Sequence, residues 1–122
     1  MTQTQTRPQR MAQIAYQCIQ SVADRGTEEM KEDYSNLAKK FPALVQACGL
    51  AQTVAFVQAK QKETNYLVNL AQVMEAKEEL GMASREANLM KYQLLSGDAI
   101  EAGSWLKRYA EALLEIDETK KE

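Results

Sequence analysis

Histidine is absent from the chain, and its 122 residues hold only two cysteines, two prolines, five glycines and one tryptophan. Without histidine no Ser-His or Cys-His dyad can form, and mixed Cys/His zinc sites are unavailable. A Gly-rich phosphate loop is missing as well. Cys18 and Cys48 both fall on apolar helical faces, so they read as small buried hydrophobes rather than as a disulfide or a catalytic thiol. No apolar run approaches the roughly 18 to 20 residues of a membrane span. The opening Met1 to Gln9 is polar and rich in Thr and Gln, unlike a secretory signal, which predicts a cytoplasmic protein. No segment alternates with period two over a strand's length. What remains is ordinary globular usage, 45% hydrophobic and 26% charged. These features predict one all-α domain over 1–122, a compact bundle of about five to seven helices, with 1–7 and 118–122 as frayed tails.

The central stretch, from Phe41 to Lys60, carries almost no charge and is expected to be the buried centre. Pro42 suits the first turn of a short helix, and Gly49 suits its end. In the helix after it, Leu50, Val54 and Val57 share one face, while Ala51, Ala55 and Ala59 offer a second face to a neighbour. Upstream, Met11, Ile14, Ala15, Cys18, Ile19 and Val22 predict an amphipathic helix from Arg7 to Asp24, stopped by Gly26. Thr27 can cap the next helix, whose stripe is Met30, Tyr34, Leu37 and Phe41. Downstream, Leu67, Leu70, Val73 or Met74, Lys77 and Leu80 read as one helix closed by Gly81. Ser84 can cap a helix through Leu89, Met90 and Leu94. Ser96-Gly97-Asp98 reads locally as a break, with Asp98 and Glu101 placed like a capping box for a new helix. Trp105, Tyr109, Leu113 and Ile116 then face inward with Leu106 and Ala110.

Two sharper patterns stand against plainer readings. Glu28, Glu29, Glu32 and Asp33 resemble half of the magnesium-binding pattern of all-α nucleotide pyrophosphohydrolases, since carboxylates three and four apart share a helix face. The second half is imperfect, with Glu75 and Glu78 or Glu115 and Glu118 as the nearest candidates, so a solvated first turn is the better reading. A helix-turn-helix over 42–59 fails because Val54, Phe56 and Val57 stand where base-reading side chains are needed. No cofactor and no catalysis are expected.

The net charge of −2 and a pI near 5.3 argue against a free-standing nucleic-acid binder, so RNA contact has to be local. The basic candidates are Arg10, Lys39, Lys40, Lys60, Lys62, Lys91, Lys107 and Arg108. On composition alone, scattered lysines that keep helices soluble are the default. A resemblance changes the weighting for some of them. Tyr34, Leu37, Lys39-Lys40-Phe41-Pro42-Ala43-Leu44, Gly49 through Val57, Lys60 and the block Trp105 to Leu113 resemble the small-subunit family, the fifth Cmr protein, of type III-B CRISPR Cmr effector complexes. Cys48 stands where that family usually has Asn, and Tyr109 where Phe is commoner. The resemblance implies a helical, non-catalytic subunit that stacks along the complex with copies of itself and other Cmr subunits. It also implies contact with the backbone of the guide–target RNA duplex, no membrane and, against the local reading, one long helix from Tyr92 to Trp105 with a weak or kinked turn at Gly97. Lys39, Lys40, Lys60, Lys107 and Arg108 lie in the matched blocks and carry the expected RNA contact. The alternative is a small helical adaptor that binds only protein.

Overall fold

Six helices account for the architecture of residues 4–60 and 65–114, which the computed structural model describes, and no strand occurs among those residues. The first, α1 (Arg7–Arg25), begins where Thr6 and Gln9 close a reciprocal capping box. Gln9 N–H donates to Thr6 Oγ1 at 3.2 Å, and Thr6 N–H donates to Gln9 Oε1 at 2.8 Å. Arg7, expected in a frayed tail, is instead fixed by Asp98 at 2.8 Å and Glu101 at 2.5 Å. The Glu101 carboxylate, followed by Asp98, raises the Arg7 guanidinium pKa. The pairs are exposed and are worth at most about 1 kcal/mol each, but they show why Asp98 and Glu101 are not a cap: they belong to a contact with α1.

Helix α2 (Glu28–Cys48) starts at Thr27, whose Oγ1 accepts from Met30 N–H at 3.1 Å, with Glu28 and Glu29 at the positive end of the helix dipole. It does not restart at Pro42. The helix runs through the proline, although an interior Pro normally costs about 3 kcal/mol. Phe41 and Val45 beside it are buried, and a Cβ on Gly103 of the last helix would come within 3.3 Å of both Phe41 and Pro42. Packing on that helix therefore holds a turn that local propensity would break. Tyr34, Leu37 and Phe41 are buried as expected, whereas Met30 at the head of the stripe is exposed.

Gly49 joins α2 directly to α3 (Leu50–Lys60). Leu50, Val54 and Val57 are buried together with Thr53, but Ala55 and Ala59 are exposed, and no described element covers that second face. The helix lies at the edge of the bundle against α2 and the later α5, so it buries one face rather than most of its circumference. Cys48 is exposed as well, while Cys18 is buried and its thiol pKa is pushed up by desolvation.

The stretch read as one helix closed by Gly81 is two. Helix α4 (Tyr66–Met74) ends at Glu75 in the left-handed region, with φ 58°. Ala76 N–H donates to the Ala71 carbonyl at 2.9 Å and Glu75 N–H to that of Gln72 at 3.1 Å, the Schellman arrangement with Glu where Gly is usual. Helix α5 (Leu80–Glu86) contains Gly81 and is capped by Glu79, whose carboxylate accepts from Met82 N–H at 2.8 Å and Gly81 N–H at 3.0 Å. Those two backbone donors lower the Glu79 pKa. Ser84 lies inside α5 and donates to the Gly81 carbonyl, so the cap of the next helix is Asn88, which accepts from Lys91 N–H at 2.9 Å.

Helix α6 (Leu89–Leu113) is continuous through Gly97, as the resemblance implies and against the local reading of a break. Its inner stripe, Ala99, Ala102, Gly103, Leu106 and Ala110, is buried and mostly small, which lets α2 approach closely. The helix packs on α1, α2 and α4 and is the spine of the bundle. Trp105 and Tyr109, expected in the core, are half-buried at its edge, stacked on each other at 6.1 Å with Tyr16 edge-on to Tyr109 at 5.5 Å. Ile116 lies outside the described residues. A Cβ on Gly97 would meet nothing within 4 Å. Gly97→Ala is therefore expected to stabilise the fold by about 0.5 to 1 kcal/mol, by helix propensity and a smaller unfolded-state entropy; a urea titration checks this, and a loss of stability would mean that the α6 backbone departs from helix there.

Candidate nucleic-acid interface

Of the residues expected to meet RNA, the structure gathers Lys40 and Lys60 at one place. They line a surface cleft of about 380 Å³ between α2 and α3, together with Asp33, Asn36, Leu37 and Phe56. On α2, Asp33, Asn36, Leu37 and Lys40 follow the i, i+3, i+4, i+7 spacing of one helical face, and on α3 Phe56 and Lys60 are one turn apart. The local sequence thus faces a short ladder of polar groups across to an aromatic ring. Phe56 is 41% exposed, and the Lys60 ammonium lies 5.8 Å from its ring centroid.

The other expected residues are placed differently. Lys39 is half-buried and lies about 100° around α2 from Lys40, as consecutive helical residues do. Lys107 and Arg108 are exposed on α6, and the lining of the α2–α3 cleft includes neither. Arg10 is paired with Glu75 at 3.2 Å, and Lys91 faces Glu78 at 3.8 Å. Lys62 lies outside the described residues.

The acidic pattern at the start of α2 is spent in part on local contacts. Glu28 pairs with Lys31 at 3.1 Å, and Glu75 and Glu78, candidates for its second half, face Arg10 and Lys91. No group of three or more metal-capable side chains occurs among the described residues. A second hollow of about 150 Å³ is lined by Cys18, Ser21, Arg25, Tyr34, Asn65 and Asn69 among others. There Asn69 donates to the Tyr34 hydroxyl at 2.6 Å, and desolvation drives the Tyr34 pKa far above its ordinary value. No helix among the described residues is long and apolar enough to cross a membrane.

Phe56 and Asn36 were not among the expected contact residues. A signal for Phe56 was present: with Leu50, Val54 and Val57 defining the inner face of α3, position 56 falls on the opposite side of the wheel.

Comparison with known proteins gives the same architecture a lineage. The family model described as CRISPR-associated protein (Cas_Cmr5) matches residues 7–113. The chain is 40% identical over 114 residues to the CRISPR system Cmr subunit Cmr5 of Thermus thermophilus, a match covering 90% of this chain and 97% of that one. A crystal structure of a CRISPR-associated Cmr5 family protein from Thermus thermophilus superposes with a TM-score of 0.82 at 36% identity, over 91% of this chain and 100% of that one. With a family match across all six helices and a close relative of nearly equal length, the chain belongs to the Cmr5 family of CRISPR-associated proteins.

Proposed function

We propose that this protein is a non-catalytic subunit of a type III-B Cmr ribonucleoprotein complex, in which it stacks with copies of itself and other Cmr subunits and contacts the guide–target RNA backbone. The observation that carries the reading is the family membership, which spans residues 7–113. Lys40 and Lys60 in one open cleft, with exposed Lys107 and Arg108 on α6, support a role in phosphate neutralisation without base readout. Lys39 belongs to the same proposed set. The weak contact of one subunit is multiplied by stacking, because neighbouring copies raise the effective concentration of each basic patch. The α6 surface also carries exposed Leu89, Met90 and Leu94 (73%, 73% and 64%), a patch that supports protein contacts within such an assembly. The working unit is a single domain in the cytoplasm.

The test is the salt dependence of target-RNA binding by the reconstituted complex. Replacing Lys39, Lys40, Lys107 and Arg108 by Ala is expected to weaken binding uniformly across RNA sequences. It should flatten the log–log salt slope by about 0.7 to 0.9 for each lost phosphate contact, per copy. An unchanged slope with a complex that falls apart would leave the protein as a scaffold that binds only other subunits.

A further inference from the structure

We propose that the α2–α3 cleft takes one unpaired RNA nucleotide, with its base stacked on Phe56 and its phosphate held by Lys40 and Lys60. The proposal rests on the reading that the chain sits beside RNA, and it adds a base contact to what is there a backbone contact. The chain has two phenylalanines, and the structure uses them in opposite ways: Phe41 is fully buried, and Phe56 presents its ring to a cleft. Every nucleobase has a π-face, so an exposed ring flanked by cations is the minimal stacking platform for a single strand. The Lys60 ammonium, at 5.8 Å from the Phe56 centroid, sits near the outer limit of about 6 Å for a cation–π contact. It is held loosely enough to turn from the ring to an incoming phosphate.

The cleft wall gives the nucleotide a direction. From Asp33 to Lys40 is seven residues, a rise of about 10 Å along α2, comparable to the length of a nucleotide from base edge to phosphate. A carboxylate stands at one end of that wall, an ammonium at the other and the Asn36 amide between them. The phosphate belongs at the Lys40 end, because Asp33 repels it at the other. The base edge then meets Asn36, which both donates and accepts, and Asp33, which only accepts. A carboxylate acceptor matches the exocyclic amino group of cytosine, adenine or guanine, whereas uracil offers only its N3–H, set between two carbonyl oxygens that a carboxylate repels. The cleft therefore favours amino-bearing bases over uracil.

The experiment is titration of the isotope-labelled full-length protein, at low salt, with the RNA tetranucleotides C4 and U4 and with a short blunt RNA duplex, read by nuclear magnetic resonance. Resonances of Asn36, Lys40, Phe56 and Lys60 are expected to shift with the tetranucleotides, more tightly with C4 than with U4, and less with the duplex, whose bases are already stacked. Phe56→Ala should weaken tetranucleotide binding about five- to a hundredfold. Because the ring is exposed, the rest of the spectrum should stay in place, and Phe56→Leu, which keeps apolar bulk without a flat face, should behave like Ala. Asp33→Asn should erase most of the preference for C4. In the titration, any of these results overturns the proposal: no shift in the cleft at millimolar tetranucleotide, equal binding by wild type and both Phe56 variants, or equal shifts with duplex and single strand. In each of those cases the salt slope of the reconstituted complex still decides the backbone reading separately. A Phe56→Ala complex that fails to assemble, with tetranucleotide binding intact, would assign the cleft to a protein neighbour and overturn the proposal too.

Discussion

Phe41→Ala is expected to lower the unfolding free energy by about 3 to 5 kcal/mol, the cost of deleting a buried aromatic ring and leaving a cavity. The ring is fully buried, and its centroid lies 5.1 Å from that of Tyr66, which in turn meets Tyr34 edge-on at 5.5 Å. This aromatic group, contributed by α2 and α4, packs against α6 at Gly103, where an added Cβ would come within 3.4 Å of Phe41, Pro42 and the Tyr66 hydroxyl. Truncation removes packing from three helices at once, and the rigid Tyr66 beside it can refill little of the space. For a domain stabilised by about 5 to 15 kcal/mol the loss is large. Guanidinium unfolding followed by circular dichroism reads it as a lower midpoint at unchanged slope. A loss below about 1.5 kcal/mol would mean that the core collapses around the site, and that α2 passes Pro42 for some reason other than packing on α6.

That passage also marks the limit of what the sequence reveals. Periodicity found the inner faces of α1, α2 and α3, because Met11, Ala15, Cys18, Ile19, Tyr34, Leu37, Phe41, Leu50, Val54 and Val57 recur at helical steps and are buried. It placed a helix end at Gly49 but did not find that α2 runs unbroken through Pro42 to reach it. Pro42 signals a break locally, and only Gly103, about sixty residues away, allows the contact that holds the helix through it. The break after α4 was hidden for the converse reason. Glu75 takes the left-handed cap position where glycine would have announced it, and its carboxylate is held by Arg10 of α1. Gly81, which looked like the announcement, is packed under the Glu79 carboxylate inside the next helix.

The candidate interface was legible to a similar depth. Lys40 and Lys60 share a cleft because α2 and α3 are joined by a single residue and must fold back on each other, a consequence of Gly49 visible in the sequence. That Lys39 turns away from Lys40 follows from the helix itself. The pairing of Arg10 with Glu75 and the approach of Lys91 to Glu78 depend on how α1, α6 and the α4–α5 connection meet, and no local pattern encodes that.

Gly49→Ala is expected to cost about 2 to 4 kcal/mol, although the residue carries no side chain to lose. Its φ of 89° and ψ of 157° lie in a region that only glycine enters readily, which costs other residues about 1 to 3 kcal/mol. The added methyl would stand 3.3 Å from the Tyr92 hydroxyl, and that hydroxyl accepts from Ala51 N–H at 3.0 Å in the first turn of α3. Displacing it removes a hydrogen bond worth about 0.5 to 1.5 kcal/mol. Relief by rotating the backbone is blocked on both sides. Gly49 N–H donates to the Val45 carbonyl at 2.9 Å and closes α2, while the Gly49 carbonyl accepts from Thr53 N–H at 3.1 Å and Thr53 Oγ1 at 2.8 Å and opens α3. Tyr92→Phe separates the two contributions, since it deletes the hydrogen bond and leaves the backbone angle alone. Denaturant titration of both variants should show the glycine change costing at least twice as much as the tyrosine change. Equal costs would mean that the strain at Gly49 is relaxed in the variant and that the α2–α3 corner is softer than its hydrogen bonds imply.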